Sequence, residues 1–433
     1  MKYFSTRDPE KKLIPASVAI VRGLAPDGGL YVPTEFPKLE NFLNLSYNEL
    51  ALAVLKLYLT DFSEAELASY IESAYETYQP VKLNGQYLEL FHGKTLAFKD
   101  VALQLFPYLL TSALSKNNID KTAVILAATS GDTGSAVLAG IADVPKTKAI
   151  VFYPENGVST VQRLQMTTKK GDNLHVFAIK GNFDDAQTAV KNIFSDETFK
   201  NQFSDDYFFT SANSINLGRL LPQIVYYFYC YGQLVSKGTI QNSDAINFAV
   251  PTGNFGNILA GYYALQMGLP IHKLICATNK NDVLDEFFKT GVYNTDREFY
   301  LTYSPSMDIL ISSNLERLTF QDPDLSHFTS GSATDEATLE TIRAIYEAEG
   351  YLLDPHTAVA KYVHDTYQKA TGDQTYTVIV STASPYKFPE TVIAAVGEQL
   401  NEIPEQIAHL ENQPVLHDQV ITDLKIAIKE VLK

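Results

Sequence analysis

The sequence predicts an α/β fold built on parallel sheets, preceded by a mainly helical N-terminal domain. From about residue 85 onward, short apolar runs alternate with helical patterns, as they do in parallel α/β folds. Most of these runs are β-branched and continuously apolar, which is typical of strands buried on both faces. Strands are expected at Tyr87–Phe91, Ala123–Ala128, Ala149–Tyr153, His175–Ile179, Ala245–Val250, Lys273–Ala277 and Thr377–Val380. Helices are expected at Phe183–Phe194, Asn216–Leu234, Asn257–Gln266 and Asp335–Glu349.

The N-terminal segment has a different pattern. Two helices are expected at 47–58 and 64–77, after Ser46 and Ser63. Each serine is followed three residues later by a glutamate, the pattern of a capping box. Pro80 marks a plausible boundary. We therefore divide the chain into an N-terminal domain, 1–80, and two α/β domains, 81–215 and 216–433.

Composition excludes several classes of function. The 34 basic and 50 acidic residues give a net charge of −16, which disfavours nucleic acid and anionic membranes as partners. No apolar run is long enough to cross a membrane, and the N-terminus lacks a signal-like core, so a cytoplasmic location is expected. The two cysteines, Cys230 and Cys276, cannot build a disulfide framework or a zinc cluster. The eight histidines lack metal-ligand spacing, so no metal site is expected.

Lys99 follows an expected strand and a glycine-containing loop, at the start of an apolar helix. The positive end of the helix dipole and the apolar neighbours Leu96, Ala97 and Phe98 favour the neutral amine. Such a lysine can form a Schiff base. Taken alone, the same position also fits a surface lysine.

Three further strand ends carry small polar residues. Thr129, Ser130, Gly131, Asp132 and Thr133 precede a helix and suit a carboxylate, although they also fit a capped helix start. The run Gly253, Asn254, Phe255, Gly256 and Asn257 could approach a phosphate closely, although it also fits a tight turn. Thr382 and Lys387 follow the last strand, in what could be a simple turn.

One cofactor would use all four junctions. Pyridoxal 5'-phosphate needs a Schiff-base lysine, a phosphate cup, a partner for its ring nitrogen and a carboxylate site for its amino-acid substrate. Ligands of parallel α/β sheets bind at the carboxyl ends of strands, where these four segments lie.

The chain resembles the threonine synthase family of fold-type II pyridoxal-phosphate enzymes over nearly its whole length. The matching segments are GLAPDGGLYVP, FHGKTLAFKD, TSGDTGSA, SANSINLGRLLPQ, PTGNFGNILAG, ATNKND, LLDPHTAVA and TASPYKF. The resemblance implies two parallel-sheet α/β domains with the cofactor between them. It implies conversion of O-phospho-L-homoserine and water to L-threonine and phosphate.

The resemblance also implies roles for individual residues. Lys99 would carry the cofactor and move protons, and the segment from Gly253 to Asn257 would hold its phosphate. Thr382 would bond the pyridine nitrogen. Ser130, Gly131, Asp132 and Thr133, together with the adjacent Thr129, would receive the substrate carboxylate, with Asp132 beside the cofactor ring. The candidates for binding the leaving phosphate are Asn213, Ser214, Asn216, Arg219 and Lys387.

Some positions depart from the family pattern. Ser384 stands where the family often has His, Lys94 where it has Pro, and Tyr386 where it has Ala. Two alternatives therefore stay open: another fold-type II activity such as a serine or threonine dehydratase, and an inactive homologue that binds phosphorylated ligands. The chain is expected to be a monomer or a homodimer.

Overall fold

The strands form one small and two large sheets in the computed structural model, which describes residues 1–322, 324–397 and 400–433. In chain order the strands are β1 (Tyr3–Ser5), β2 (Tyr31–Pro33), β3 (Lys82–Asn84), β4 (Tyr87–Glu89), β5 (Thr122–Ala128), β6 (Thr147–Pro154), β7 (Leu174–Ile179), β8 (Tyr207–Ser211), β9 (Ile246–Pro251), β10 (Ile271–Thr278), β11 (Phe328–Ser332), β12 (Thr377–Ser381) and β13 (Val420–Ile421).

Helices cover both faces of the large sheets. They are α1 (Ala16–Arg22), α2 (Tyr47–Tyr58), α3 (Glu64–Tyr75), α4 (Lys99–Leu103), α5 (Phe106–Lys116), α6 (Asp132–Ile141), α7 (Thr160–Thr167), α8 (Phe183–Ser195), α9 (Glu197–Asn201), α10 (Leu217–Leu220), α11 (Ile224–Ser236), α12 (Gly256–Gln266), α13 (Val283–Thr290), α14 (Leu315–Gln321), α15 (Asp335–Glu349), α16 (Pro355–Thr371), α17 (Pro389–Val396), α18 (Glu405–Ala408) and α19 (Leu424–Leu432). Short 3-10 turns lie at Leu221–Gln223, Pro305–Met307, Pro385–Lys387 and Leu410–Asn412.

The two large sheets are parallel, as predicted, apart from one strand pair. One sheet has the order β11-β10-β9-β12-β4-β3, in which only β3 and β4 are antiparallel. The other has the order β13-β7-β6-β5-β8 and is parallel throughout. The division into domains 1–80, 81–215 and 216–433 stays a prediction. Each large sheet contains strands from both sides of the boundary at 215/216. Strands β3 and β4 join the later segment's sheet, and β13 returns to the earlier one.

The predicted strands are present, and so are the predicted helices other than Asn216–Leu234, most of them with shifted ends. The predicted capping boxes form at α2 and α3, where Ser46 and Ser63 accept N–H bonds from Glu49 and Glu66. Asn216–Leu234 was predicted as one helix, and this prediction is wrong: a 3-10 turn interrupts it, because Pro222 has no N–H and its ring displaces the preceding turn.

The topology brings five strand ends together. The carboxyl ends of β5 and β8 in one sheet, and of β4, β9 and β12 in the other, lead into the loops that contain the candidate site residues. Two of these loops are bonded to each other: Phe98 N–H donates to the Thr382 carbonyl at 2.8 Å, and Ser384 N–H donates to the Leu96 carbonyl at 3.0 Å. The helix that begins at Lys99 is therefore fixed to the end of β12.

Gly140 sets the distance between α4 and α6. A β-carbon at this position would overlap the carbonyl oxygen of Leu103, which is backbone and cannot rotate away. The glycine therefore allows the helix that begins at Lys99 to pack closely on the helix that begins at Asp132.

We expect Gly140→Ala to lower the free energy of unfolding by about 1–3 kcal/mol through overpacking, even though alanine has the higher helix propensity. Urea unfolding of the variant and of Ser69→Ala, an exposed position on α3, measures this. A variant of Gly140 that is as stable as the parent would show that α4 and α6 can separate freely.

Candidate active site

The loops at the five strand ends surround one cavity of about 780 Å³, counting its open mouth. Most of the predicted site residues line it: Lys99, Ser130, Asp132, Thr133, Asn213, Ser214, Arg219, Gly253, Asn254, Phe255, Gly256, Asn257 and Thr382. The predicted residues Thr129, Gly131, Asn216 and Lys387 lie outside the cavity wall.

Lys99 is almost completely buried at the first turn of α4, with 11% of its side chain exposed. Burial lowers the pKa of its amine to about 8; the nearby carboxylate of Asp132 raises it, and the charges of Arg219 and Lys387 lower it further. Its Nζ lies 4.0 Å from Oδ2 of Asp132. Near neutral pH this amine can therefore both accept and donate a proton.

Asp132 is the centre of a buried polar network that joins the two large sheets. Its Oδ1 accepts from Nζ of Lys387 at 2.9 Å and from Nε2 of Gln162 at 2.9 Å. Its Oδ2 accepts from the hydroxyl of Ser306 at 3.1 Å. Burial alone would raise the pKa of Asp132, but the ammonium groups of Lys387 and Lys99 outweigh this effect and lower it. Asp132 is therefore a carboxylate held in one orientation.

Lys387 is placed differently from what the sequence suggested. Its side chain has no exposed surface, and Nζ donates to the Thr95 carbonyl at 2.7 Å as well as to Asp132. A fully buried ammonium needs a counter-ion, and Asp132 supplies it. Lys387 is therefore bonded to Asp132 and Thr95 outside the cavity wall, and its contact with a substrate stays a prediction.

The side chains of two other predicted site residues, Thr129 and Asn216, form hydrogen bonds within the protein. The Thr129 hydroxyl accepts from the N–H groups of Gly131 and Gly134 at 2.9 and 2.8 Å, which shapes the loop. Asn216 caps α10 and donates to the carbonyls of Ile20 and Ser211. These residues lie behind the cavity wall and support the loops that form it.

Arg219 is a buried cation at the cavity wall without an acidic partner. It is 2% exposed, and Nη1 donates to the Ala212 carbonyl at 2.8 Å. Its Nε has no hydrogen-bond partner, and no acid among residues 1–322, 324–397 and 400–433 lies at ion-pair distance. Burial lowers its pKa to about 10, so the guanidinium stays charged near neutral pH. Such a group favours a bound anion.

The loop after β9 has donors that the rest of the described protein does not satisfy. The N–H groups of Asn254 and Phe255 donate to no described residue. Asn257 Oδ1 accepts from the hydroxyls of Tyr226 and Tyr227, which leaves Nδ2 buried and unpartnered. Phe255 has the left-handed φ of 63°, a conformation that turns successive N–H groups toward one side. This donor set fits an organic phosphate.

The glycines of this loop allow close approach. A β-carbon at Gly253 would lie 2.9 Å from Cδ1 of Ile309, and one at Gly256 would lie 3.2 Å from Cβ of Ser214. With an amine of lowered pKa at Lys99 and the hydroxyl-bearing Thr382 in the cavity wall, the residues fit pyridoxal phosphate.

The cavity wall also contains polar residues that were not among the predicted site residues: Gln223, Thr252, Ser306 and His356. The His356 Nε2 accepts from the Ser306 N–H at 3.1 Å, so the proton of the neutral imidazole lies on Nδ1, which donates to Asp354 at 2.8 Å. His356 could have been proposed as a site residue from the sequence, because it lies in DPHTAVA, one of the segments that carry the family resemblance. Ser306 lies in a long loop without a recognisable motif. Within the described residues, no cluster of His, Cys, Asp or Glu could hold a metal ion.

In the cofactor-free protein, we expect Lys99 to react with an amine-acylating reagent with a midpoint near pH 8, since burial lowers its pKa. Asp132→Asn removes the charge that raises this pKa, so the midpoint should shift to lower pH. Peptide mapping of labelling rates against pH measures it, with the exposed Asp172→Asn as control. An unchanged midpoint in Asp132→Asn would contradict the electrostatic coupling.

Lys387→Met should lower the free energy of unfolding by about 3 kcal/mol or more, because it leaves the buried Asp132 without its counter-ion. Lys146→Met removes an exposed lysine, 65% accessible, and should change stability little. Urea unfolding of both variants tests this, and equal stability of the two would rule out a strong buried pair.

No helix among the described residues is long and apolar enough to cross a membrane.

Family profiles match most of the chain: "Threonine synthase N terminus" at residues 2–75, "Pyridoxal-phosphate dependent enzyme" at 87–382 and "Threonine synthase, C-terminal" at 357–431.

Individual relatives agree with these profiles. The chain is 40% identical to a threonine synthase of Pseudomonas aeruginosa, over 95% of this chain and 93% of that protein. It is 38% identical to a human protein named threonine synthase-like 1, over 94% of this chain but 62% of that longer protein. The crystal structure of pyridoxal-phosphate-bound threonine synthase from Brucella melitensis superposes with a TM-score of 0.87 at 37% identity, covering 100% of this chain and 99% of that one. The chain therefore belongs to the threonine synthase family of pyridoxal-phosphate-dependent enzymes.

Proposed function

We propose that the chain is a threonine synthase that converts O-phospho-L-homoserine and water to L-threonine and phosphate, a carbon–oxygen lyase acting on a phosphate ester. The observation that carries this proposal is Arg219, a buried cation without a carboxylate partner in the wall of the cavity. A cytoplasmic location and a monomeric or homodimeric state remain predictions from the sequence.

Cofactor contacts are proposed from the geometry of the walls. Lys99 would form the covalent link, the N–H groups of Asn254 and Phe255 and the Asn257 amide would hold the cofactor phosphate, and Thr382 would face the ring nitrogen. When bound, pyridoxal phosphate supplies an electron sink that stabilises negative charge on the carbons next to the substrate nitrogen.

The substrate carboxylate would bind at the start of α6. Ser130 and Thr133 line the cavity there, and the N–H groups of Asp132 and Thr133, which donate to no described residue, could donate to an anion. Asp132 lies in the same loop, but its carboxylate is turned to Lys387, Gln162 and Ser306. The loop can therefore present donors to an anion while its own charge is neutralised.

Lys99 would move the protons of the reaction. An amine with a pKa of about 8 can remove the proton at the α-carbon and later return one. Removal of a β-proton leads to breakage of the bond between the γ-carbon and oxygen, and phosphate leaves. The protons taken from the α- and β-carbons would be returned to the α- and γ-carbons, so that the γ-carbon becomes a methyl group. Water would give its hydroxyl to the β-carbon and its remaining proton to the released phosphate, which yields threonine.

Arg219 would stabilise the departing phosphate. The phosphate gains charge as its bond to carbon breaks, so a fixed guanidinium helps the transition state more than the bound substrate. Asn213 and Ser214 line the same cavity, and the Ser214 hydroxyl, which accepts from Asn314 Nδ2 at 3.1 Å, keeps its own proton to donate. A dehydratase acting on serine or threonine has no phosphate to bind, which would leave Arg219 without an anion.

Arg219→Met should keep the visible absorbance of the bound cofactor and lower kcat/KM for O-phospho-L-homoserine by roughly tenfold to a hundredfold or more, as expected for loss of a charge-assisted bond. Part of the loss should fall in kcat, and inhibition by free phosphate should weaken. Arg163→Met removes an exposed arginine and serves as control. The assay measures phosphate release and identifies threonine as the product.

The parent protein distinguishes the alternatives. Turnover of serine or threonine without turnover of O-phospho-L-homoserine would indicate a dehydratase, and cofactor absorbance without turnover of any of these would indicate an inactive homologue. Equal phosphate inhibition of parent and Arg219→Met would place the leaving group elsewhere.

A further inference from the structure

Arg317 is a second buried arginine, again without an ion-pair partner in the part of the chain that the structure describes, and it belongs to none of the segments that carry the family resemblance. Its side chain has no exposed surface. Nε donates to the Tyr31 carbonyl at 2.9 Å and Nη2 to the Ile215 carbonyl at 2.5 Å, while Nη1 donates to Oδ1 of Asn314 at 2.5 Å. The guanidinium therefore uses all three nitrogens on neutral acceptors.

The side-chain amide of Asn314 connects Arg317 to the loop after β9 through hydrogen bonds. With its Oδ1 held by Arg317, its Nδ2 donates to the Asn254 carbonyl at 3.0 Å and to the Ser214 hydroxyl at 3.1 Å. The backbone N–H of Asn314 donates to the same Asn254 carbonyl at 3.2 Å. Nearby, the Ser312 hydroxyl donates to the Gly253 carbonyl at 2.6 Å.

These bonds orient the donors of the loop. In a planar trans peptide the carbonyl and the following N–H point in opposite directions. The carbonyls of Gly253 and Asn254 are drawn toward Ser312 and Asn314, so the N–H groups of Asn254 and Phe255 point away from them. Those two N–H groups are the ones that donate to no described residue.

We propose that Arg317 and Asn314 are positioning residues for the cofactor phosphate: they hold the Gly253–Asn257 loop with its N–H groups toward the phosphate, and Arg317 adds a buried positive charge behind it. This rests on the proposed cofactor contacts of that loop. It does not depend on which substrate the enzyme uses. The charge matters because the protein as a whole carries −16, which opposes binding of a dianion.

The test compares pyridoxal phosphate with pyridoxal, which has the same ring and aldehyde but no phosphate. Each is titrated into cofactor-free protein, and the absorbance of the Schiff base gives its affinity. Asn314→Ala should weaken binding of pyridoxal phosphate by roughly tenfold or more, since the side-chain bond to the Asn254 carbonyl is lost together with the amide that connects Arg317 to the loop. The affinity for pyridoxal should stay within about threefold, a difference below the net strength of one hydrogen bond.

Arg317→Met should show the same selective loss, and Arg317→Lys should retain part of the affinity because it keeps the charge without the three-nitrogen fork. Should the Arg317 variants fail to fold, Asn314→Ala and Asn314→Asp test the proposal by themselves; the added negative charge of Asn314→Asp should weaken binding of pyridoxal phosphate more than alanine does.

Asn247→Ala is the matched control. Asn247 is a buried asparagine at the opposite end of β9, where it bonds Asp373 and Thr377. Its loss should change the affinities for pyridoxal phosphate and pyridoxal by the same factor. Equal losses for the two ligands in Asn314→Ala, or no loss in the folded variant, would overturn the proposal. Absence of threonine formation by the parent would contradict the proposed reaction and leave this test intact.

Discussion

The buried bond between Asp132 and Lys387 is the interaction on which the site depends. Asp132 begins a helix of the five-stranded sheet, and Lys387 follows the last strand of the six-stranded sheet, so the 2.9 Å ion pair crosses between them. Lys387 is the counter-ion of the buried Asp132 carboxylate, and that carboxylate still raises the pKa of Lys99. As a result, the amine has a pKa close to neutral instead of the much lower value that burial among cations alone would favour.

A second constraint is the excess of buried positive charge around the cavity. Arg219 and Arg317 are both buried, and both donate to neutral acceptors. In a protein with a net charge of −16, these cations create a local field opposite to that of the surface. The cavity is therefore suited to ligands that bring their own negative charge, as a phosphorylated cofactor and a phosphorylated substrate do.

The sequence was sufficient to predict the α/β class, the ends of β4, β5, β9 and β12 at the cavity, and the position of Lys99 and of the loop after β9 in its wall; strand β8 was not predicted. These features could be predicted because the hydrophobic patterns of strands and helices are local in the sequence. In addition, ligands of parallel α/β sheets bind at the carboxyl ends of the strands. The polar edge strand β11, Phe328–Ser332, escaped prediction because its residues lack the apolar signal of a buried strand. Several hydrogen-bond partners of Lys387 and Arg317 could not be predicted, because they lie more than a hundred positions away in the sequence. They are Asp132 for Lys387, and Tyr31 and Ile215 for Arg317.

The short strand β13 has a consequence for synthesis of the chain. It covers the outer edge of β7, yet the two strands are separated by residues 180–419. At about 5–20 residues per second, the ribosome needs on the order of tens of seconds to make that stretch. During this interval β7 is an unpaired edge, open to pairing with other nascent chains. Truncation near the C-terminus would make that exposure permanent, so the last residues protect the protein from aggregation although they lie far from the cavity in sequence.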